Sequence, residues 1–171
     1  MKSLNYLFKE WIVPIVVALI IVFLLNRYVF VLVTVPTGSM ENTIMPGDRL
    51  YVTKIFDVDD LKIGDIVVFE SEELDKILVK RLMGRPGDEV YIDENGIVYT
   101  NGSQIDEPYA KNTPQKPQIF NVPEGTYFFM GDNRGSSHDA RSWVNPYIPE
   151  NKLMGIALFR FFPLNRIGSI E

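Results

Sequence analysis

The sequence predicts a mainly β domain of coiled antiparallel sheets on one N-terminal transmembrane helix. Residues 11–25 form an apolar run without a charged residue. After residue 27, short segments rich in β-branched and aromatic residues alternate with turns containing Gly, Pro, Asn and Asp. No long stretch there has the periodicity of an amphipathic helix. The 171 residues suffice for one compact domain and an anchor.

The composition narrows the classes of function. The net charge of -5 weighs against a nucleic-acid partner, because such partners usually require a basic face. The chain has no cysteine, which excludes disulfides, thiolate catalysis and Cys-ligated zinc. Its one histidine is His138, which argues against a His-rich metal site.

The apolar run is interpreted as a membrane anchor. A spanning helix needs about 20 mostly apolar residues, and an extension over residues 6–8 supplies them if Lys9 snorkels to the surface. A cleaved signal peptide is an alternative, although no A-x-A site follows. A buried helix of a soluble core is another. Lys2 and Lys9 favour a cytoplasmic N-terminus. We therefore divide the chain into a cytoplasmic tail and anchor, 1–27, and an extracytoplasmic β-rich domain, 28–171.

Alternating apolar segments in the second domain predict its strands in order. The turns between them contain Arg-Pro-Gly-Asp, Asp-Glu-Asn-Gly and Asn-Gly. Residues 110–123 are polar and contain three prolines, which predicts a loop. The predicted strands are 28–35, 49–55, 63–70, 76–83, 89–92, 97–100, 126–130 and 153–162.

The first cluster with possible chemistry is PTGSM, residues 36–40. Gly38 leaves room for a substrate backbone beside Ser39. In an extended segment, the side chains of Thr37 and Ser39 point to the same side. One hydroxyl is then a candidate nucleophile and the other a candidate oxyanion donor. The alternative is an ordinary turn between strands.

The second cluster is LVKRL, residues 78–82. With the period of two of a strand, Lys80 shares a face with Leu78 and Leu82. An apolar face lowers the pKa of a lysine, which makes Lys80 a candidate base. A surface lysine that snorkels is the alternative.

The third cluster is GDNRGSSHDAR, residues 131–141. In an extended conformation Ser137, Asp139 and Arg141 share one face, and His138 points the other way. Asp139 and Arg141 are then able to pair, and Ser137 to orient a neighbouring group. A solvated polar loop is the alternative.

The choice of base follows by elimination. A Ser-His-Asp triad requires His138, but its neighbour Asp139 faces away from it on a strand. A Ser-Lys pair requires only one base and a hydroxyl that positions it. Ser39, Lys80 and Ser137 provide these parts.

Together, the three clusters resemble the type I signal peptidases. PTGSM is similar to the serine motif of that family, VKRLMGRPGD to its lysine motif, and GDNRGSSHDAR to its Gly-Asp-Asn-Arg motif. Their order, and their position after an N-terminal apolar segment, also agree. The resemblance implies the signal-peptidase and LexA-like fold in the single-anchor form of Gram-positive bacteria. One departure is Asn42, which stands where the family often has proline.

The resemblance also implies a role for each matching residue. Ser39 is the expected nucleophile and Lys80 the general base. Thr37 is expected to give an oxyanion-hole hydroxyl beside the Ser39 amide. Supporting roles are expected for Ser137, which would orient Lys80, and for the salt bridge of Asp139 with Arg141.

Three valines border the serine and lysine motifs and are candidates for shallow pockets that accept small side chains: Val33, Val35 and Val79.

The reaction implied is removal of signal peptides with small residues before the cut from secretory preproteins, by a serine endopeptidase. It would take place at the outer face of the plasma membrane. The expected partners are preproteins and the lipid bilayer, without nucleic acid, metal or cofactor. The rival hypotheses are a self-cleaving protein of the LexA type and an inactive membrane-anchored β-domain.

Overall fold

The computed structural model describes residues 8–55 and 57–170. A π-helical segment, Phe8–Ile12, runs directly into helix α1, Val13–Tyr28. In the described part of the chain, no helix is long and apolar enough to cross a membrane. The predicted cytoplasmic tail and the extension over residues 6 and 7 lie outside the described residues. Transmembrane anchoring therefore stays a prediction.

The remainder of the chain forms short antiparallel strands, which confirms the prediction of a mainly β domain. The strands are β1 (Phe30–Thr34), β2 (Arg49–Lys54), β3 (Ile66–Ser71), β4 (Lys76–Gly84), β5 (Glu89–Ile92), β6 (Val98–Thr100), β7 (Ser103–Gln104), β8 (Gln118–Asn121), β9 (Thr126–Met130), β10 (Tyr147–Pro149), β11 (Leu153–Phe162) and β12 (Gly168–Ser169).

The strands form two sheets. The larger one has eight strands in the order β1-β2-β11-β3-β4-β9-β10, with β12 paired to β11. The smaller one has the order β7-β6-β5-β8. The register of β11 shifts against both β2 and β3, and that of β4 shifts against β9. Such irregularities increase the local right-handed twist of the strands.

Several strands differ from the prediction. The predicted loop at 110–123 is wrong at β8, where the ring of Phe120 packs 4.5 Å from that of Phe128. Strand β10 was not predicted; it lies at the edge of the sheet, where a strand tolerates a proline such as Pro149. Strands β7 and β12 were not predicted either, and each has only two residues. The predicted strand 63–70 begins later, at β3, because Gly64 has a φ of +100° in the preceding turn.

Two apolar cores lie against the larger sheet. The larger core contains the buried rings of Phe69, Phe128 and Phe129. The smaller core contains Met40 and Ile44, which come directly after the serine of the first cluster. Burial of a side chain of this size contributes about 1.5–3 kcal/mol. The segment around Ser39 is therefore held in place by its own apolar side chains.

Candidate active site

The serine of the first cluster lies in a turn rather than in an extended segment. Residues 37–44 form consecutive bends and turns after β1. Backbone hydrogen bonds close this loop at its base, from the N–H of Val35 to Asp48 O at 2.9 Å and from the N–H of Gly47 to Val35 O at 2.8 Å. The expected extended geometry at 36–40 is therefore wrong beyond Pro36. Thr37 and Ser39 nevertheless line the same cavity.

Lys80 is buried in the middle of β4 and reaches residues 37–44, the serine turn. Its side chain is 3% exposed, and its Nζ donates a hydrogen bond to Ser39 Oγ. Burial lowers the pKa of Lys80 to about 8, against a raising influence of the Asp139 charge and a further lowering by Arg141. Such a lowering corresponds to about 3 kcal/mol of destabilisation of the charged form. The site thus holds a lysine with a pKa of about 8 next to a hydroxyl.

An open cavity of about 490 Å³ surrounds this pair. One wall is the face of β4 that carries Leu78 and Lys80, and the opposite wall is the serine turn. The full lining is Thr37, Gly38, Ser39, Glu41, Leu74, Lys76, Leu78, Lys80, Asn133, Ser136 and His138. A second cavity of about 540 Å³, lined by Ile55, Gly125 and Leu153 among others, contains none of the predicted site residues.

The part of β4 beside the cavity has an open edge. On one side, β3 pairs with β4 from Lys76 to Arg81. On the other side, β9 pairs only with Arg81, Leu82 and Gly84. Within the described residues, 76–80 therefore have no strand on their second side. Unpaired backbone groups at such an edge are able to bind an extended peptide as an additional strand.

The third cluster folds into turns that bring Asp139 and Arg141 together. Arg141 donates from Nε to Asp139 Oδ1 at 2.8 Å and from Nη2 to Oδ2 at 2.9 Å. The N–H of Gly131 donates to the same carboxylate at 2.9 Å. Burial alone would raise the pKa of Asp139, but the hydrogen bond and charge of Arg141 outweigh it and hold this pKa below its usual value.

Ser137 is placed near the site without the expected contact. Its Oγ is buried and close enough to Asp139 to help lower the pKa of that carboxyl, yet it has no hydrogen-bond partner among the described residues. The expected hydrogen bond to Lys80 is thus not formed. A Cβ added to Gly131 would meet Ser137 Cβ at 2.6 Å and Ser39 O at 2.5 Å. The absent side chain of Gly131 therefore allows these two serines to approach.

His138 lies on the cavity wall without forming a triad. Its Nδ1 is 2.9 Å from Ser142 Oγ, and its ring meets that of Trp143 edge-on at 6.5 Å. The neighbouring Asp139 carboxylate is bound by Arg141 and the Gly131 N–H instead. Since a Ser-His-Asp triad needs the carboxylate on the imidazole, this arrangement favours Lys80 as the base.

A buried ion pair beneath the serine turn was not assigned by the sequence analysis. Arg81 donates to Asp132 at 2.9 Å from Nε and at 2.8 Å from Nη2, and its guanidinium lies 3.5 Å from the centre of the Tyr109 ring. Thr43 Oγ1 donates to Asp132 at 2.6 Å. The alternation of β4 places Arg81 opposite Lys80, but nothing in the sequence identifies a partner 51 positions away.

The three valines suggested as pocket residues lie in or against the smaller core. Val35 is buried there, and Val33 and Val79 pack against it half-buried. None of the three is among the described residues that line the cavity at Ser39, whose aliphatic lining comes from Leu74 and Leu78. Leu78 was noted in the sequence only as a residue that buries Lys80.

Comparison with known proteins identifies a matching family and several similar proteins. The family described as signal peptidase, peptidase S26, matches residues 8–162. The probable signal peptidase I-1 of Synechocystis sp. is 38% identical, over 95% of this chain and 86% of its own length. The signal peptidase I of Bacillus licheniformis is 35% identical, over 98% of this chain and 95% of its own length.

One solved structure gives the same result. The crystal structure of a signal peptidase I from Enterococcus faecalis superposes with a TM-score of 0.50 at 27% identity. The match covers 58% of this chain and 98% of that one. The antiparallel β architecture described above is therefore similar to that of a signal peptidase I.

Proposed function

The chain belongs to the signal peptidase family, peptidase S26, and from that membership we propose how its own residues cleave the peptide bond. It is a serine endopeptidase that removes signal peptides from secretory preproteins. We assign Ser39 as the nucleophile and Lys80 as the general base. The observation that carries this assignment is the hydrogen bond between the buried Lys80 Nζ and Ser39 Oγ.

The chemistry follows from this pair. Neutral Lys80 takes the proton of Ser39 as Oγ forms a bond to the carbonyl carbon of the scissile peptide. When the resulting tetrahedral intermediate collapses, the C–N bond breaks and protonated Lys80 gives its proton to the leaving amine of the mature protein. The signal peptide remains as an ester on Ser39. Water then attacks this ester with Lys80 again as base, which releases the signal peptide and regenerates Ser39.

Negative charge develops on the carbonyl oxygen as the tetrahedral intermediate forms, and hydrogen-bond donors must stabilise it. We assign the Thr37 hydroxyl and the Ser39 N–H to this role. Support comes from the position of both residues on the cavity wall beside Lys80.

Further support for the site comes from the third cluster. The ion pair of Asp139 with Arg141 braces the loop that brings Ser137 against Gly131. We assign Asp139 and Arg141 to this structural role. Because Ser137 Oγ has no partner among the described residues, it is available to orient Lys80 when a substrate fills the cavity.

The substrate is expected to bind as an extended strand along the open edge of β4, between residues 76–80 and the serine turn. Its backbone must approach Gly38 and Ser39 closely, which leaves little room for a large side chain next to the scissile bond. A preference for small residues before the cut follows. Leu74 and Leu78 provide the apolar contacts in this cavity.

We further propose that the chain is anchored in the plasma membrane, with 1–27 as tail and anchor and 28–171 as the catalytic domain outside. The π-helical segment and α1 are contiguous, with 5 and 16 residues, about the length that a membrane span needs. Their described side chains from residue 9 to residue 24 are exposed and mostly apolar on every side, as suits lipid rather than water. Lys9 favours a cytoplasmic N-terminus.

An apolar row on the sheet continues from this helix. Leu32 on β1, Tyr51 on β2 and Phe159 on β11 are in register across three neighbouring strands. They are 58%, 39% and 39% exposed. Because residues in register share a face of the sheet, the row forms an apolar surface directly after α1, where the domain would meet the bilayer.

The function is tested by incubating the purified full chain in detergent with a secretory preprotein and locating the cut by mass spectrometry. We expect one cut, at the end of the signal peptide. A preprotein with tryptophan as the last signal-peptide residue should remain uncut, and one with serine there should be processed. Cleavage at many unrelated positions, or equal cleavage of the tryptophan variant, would contradict the proposal.

A chain shortened to residues 28–171 tests the domain assignment. All proposed catalytic residues lie after residue 27, so we expect this chain to cleave the preprotein in detergent, although more slowly. It should also float with lipid vesicles through the apolar row. Replacement of Leu32 and Phe159 by serine should weaken flotation more than detergent activity. A folded shortened chain without any cleavage would refute the assignment of the catalytic domain to 28–171.

A further inference from the structure

Asn133 holds two consecutive carbonyl groups of the serine turn. Its backbone N–H donates to Ser39 O at 3.1 Å, and its side-chain Nδ2 donates to Gly38 O at 3.1 Å. The side chain is buried at the cavity wall. The peptide groups on both sides of the Ser39 α-carbon are therefore fixed by one residue, 94 positions along the chain from Ser39 and outside the Ser-Lys pair.

The planarity of the peptide bond gives the side-chain contact a consequence for catalysis. In a trans peptide the C=O and the following N–H point in opposite directions. When Asn133 holds Gly38 O, the N–H of Ser39 must point away from Asn133. This N–H has no hydrogen-bond acceptor among the described residues. It is left available as a donor, and its direction is set by Asn133.

Asn133 is itself held on both sides. The preceding residue, Asp132, is fully buried and is bound by Arg81 and Thr43. The N–H of Ser136 donates to Asn133 O at 3.0 Å. Donors that are already in place do not need to reorganise as charge develops, and this is what makes an oxyanion hole effective. The buried ion pair under the serine turn thus supports Asn133 as well.

We propose that Asn133 is a positioning residue for the oxyanion hole: it orients the Gly38–Ser39 peptide so that the Ser39 N–H is presented to the developing oxyanion. The inference rests on the proposed role of Ser39 as nucleophile. Loss of a whole oxyanion donor lowers kcat about 100- to 1000-fold. A donor that is present but poorly aimed should therefore lower kcat by about 10- to 100-fold, while KM changes little because the ground-state substrate carries no oxyanion.

The test uses the full chain with Asn133→Ala and Asn133→Leu. Leucine keeps the branched shape of asparagine without the donor, and both variants retain the backbone hydrogen bond to Ser39 O. Rates are expressed per folded molecule, with the folded fraction taken from thermal unfolding. We expect kcat for preprotein cleavage to fall about 10- to 100-fold, with KM within about threefold. The inflection of kcat/KM with pH should remain in place, because Lys80 is unchanged.

A second measurement distinguishes a loss of orientation of the Ser39 N–H from a general loss of structure in the site. A peptide aldehyde forms a tetrahedral adduct with Ser39 that contains the oxyanion, so its affinity should fall in proportion to kcat. Asn151→Ala, at an exposed site, is the matched control and should behave as wild type. Unchanged kcat in both Asn133 variants, or a kcat loss without a loss of aldehyde affinity, overturns the inference. Full activity of Ser39→Ala would instead overturn the proposed nucleophile.

Discussion

Replacement of Ser39 by alanine is expected to lower kcat for preprotein cleavage about a millionfold, to the background of the assay. Loss of the nucleophile has an effect of this size in a serine protease, because the remaining groups cannot form the covalent intermediate. The change removes only one oxygen, at a half-buried position. Met40 and Ile44 continue to anchor the turn, so the melting temperature should change by only a few degrees.

The measurement compares cleavage of one preprotein by the wild type, Ser39→Ala and Ser103→Ala. Ser103 lies exposed on β7 of the smaller sheet, and the same substitution there should leave kcat unchanged. A preprotein bound to Ser39→Ala should be recovered intact, which shows that binding survives. If Ser39→Ala is folded and retains even a tenth of the wild-type kcat, Ser39 is not the nucleophile.

The alternation of side chains along β4 explains why the sequence alone identified Lys80 as a candidate base. Lys80 was predicted as a candidate base because Leu78 and Leu82 share its face in a strand, and β4 is the strand predicted there with one more residue. Period two is a local property, so it identifies which side chains are buried. The partner across the turn, Ser39, is 41 positions away and was found through its motif rather than through periodicity.

The elements that the sequence analysis missed depend on distant contacts. Strand β8 reads locally as a proline-rich loop, and it forms because Phe120 packs on Phe128. Arg81 and Asp132 are 51 positions apart in the chain, and both are buried only because the strand and the loop meet. Tertiary context overrides local propensity in both cases.

The residues predicted to form the substrate pocket illustrate a different limit of prediction from sequence. Val33, Val35 and Val79 border the motifs in sequence, and proximity in sequence suggested that they line a pocket. Val35 is buried in the smaller core and Val33 and Val79 pack against it, and none of the three is among the described residues that line the cavity at Ser39. On β4, Leu78 and Lys80 face the cavity while Val79 between them faces the core.

Replacement of Lys80 by arginine is expected to abolish cleavage as completely as Ser39→Ala does. A guanidinium stays protonated at every usable pH, so it is unable to accept the serine proton. In the wild type, burial lowers the pKa of Lys80 to about 8, which leaves about a tenth of the molecules with a neutral lysine at pH 7. Only the neutral form is active, so kcat/KM should rise about tenfold per pH unit at low pH and level off above pH 8.

Two controls accompany this experiment. Lys152→Arg makes the same change at a surface lysine paired with Glu72, and should leave both kcat and the pH profile unchanged. His138→Ala removes the only histidine of the chain, and because Lys80 rather than an imidazole is the base, kcat and the inflection near pH 8 should persist. A folded Lys80→Arg with measurable kcat, or a His138→Ala variant that is folded and inactive, would overturn the Ser-Lys mechanism, since each would place the base on another residue.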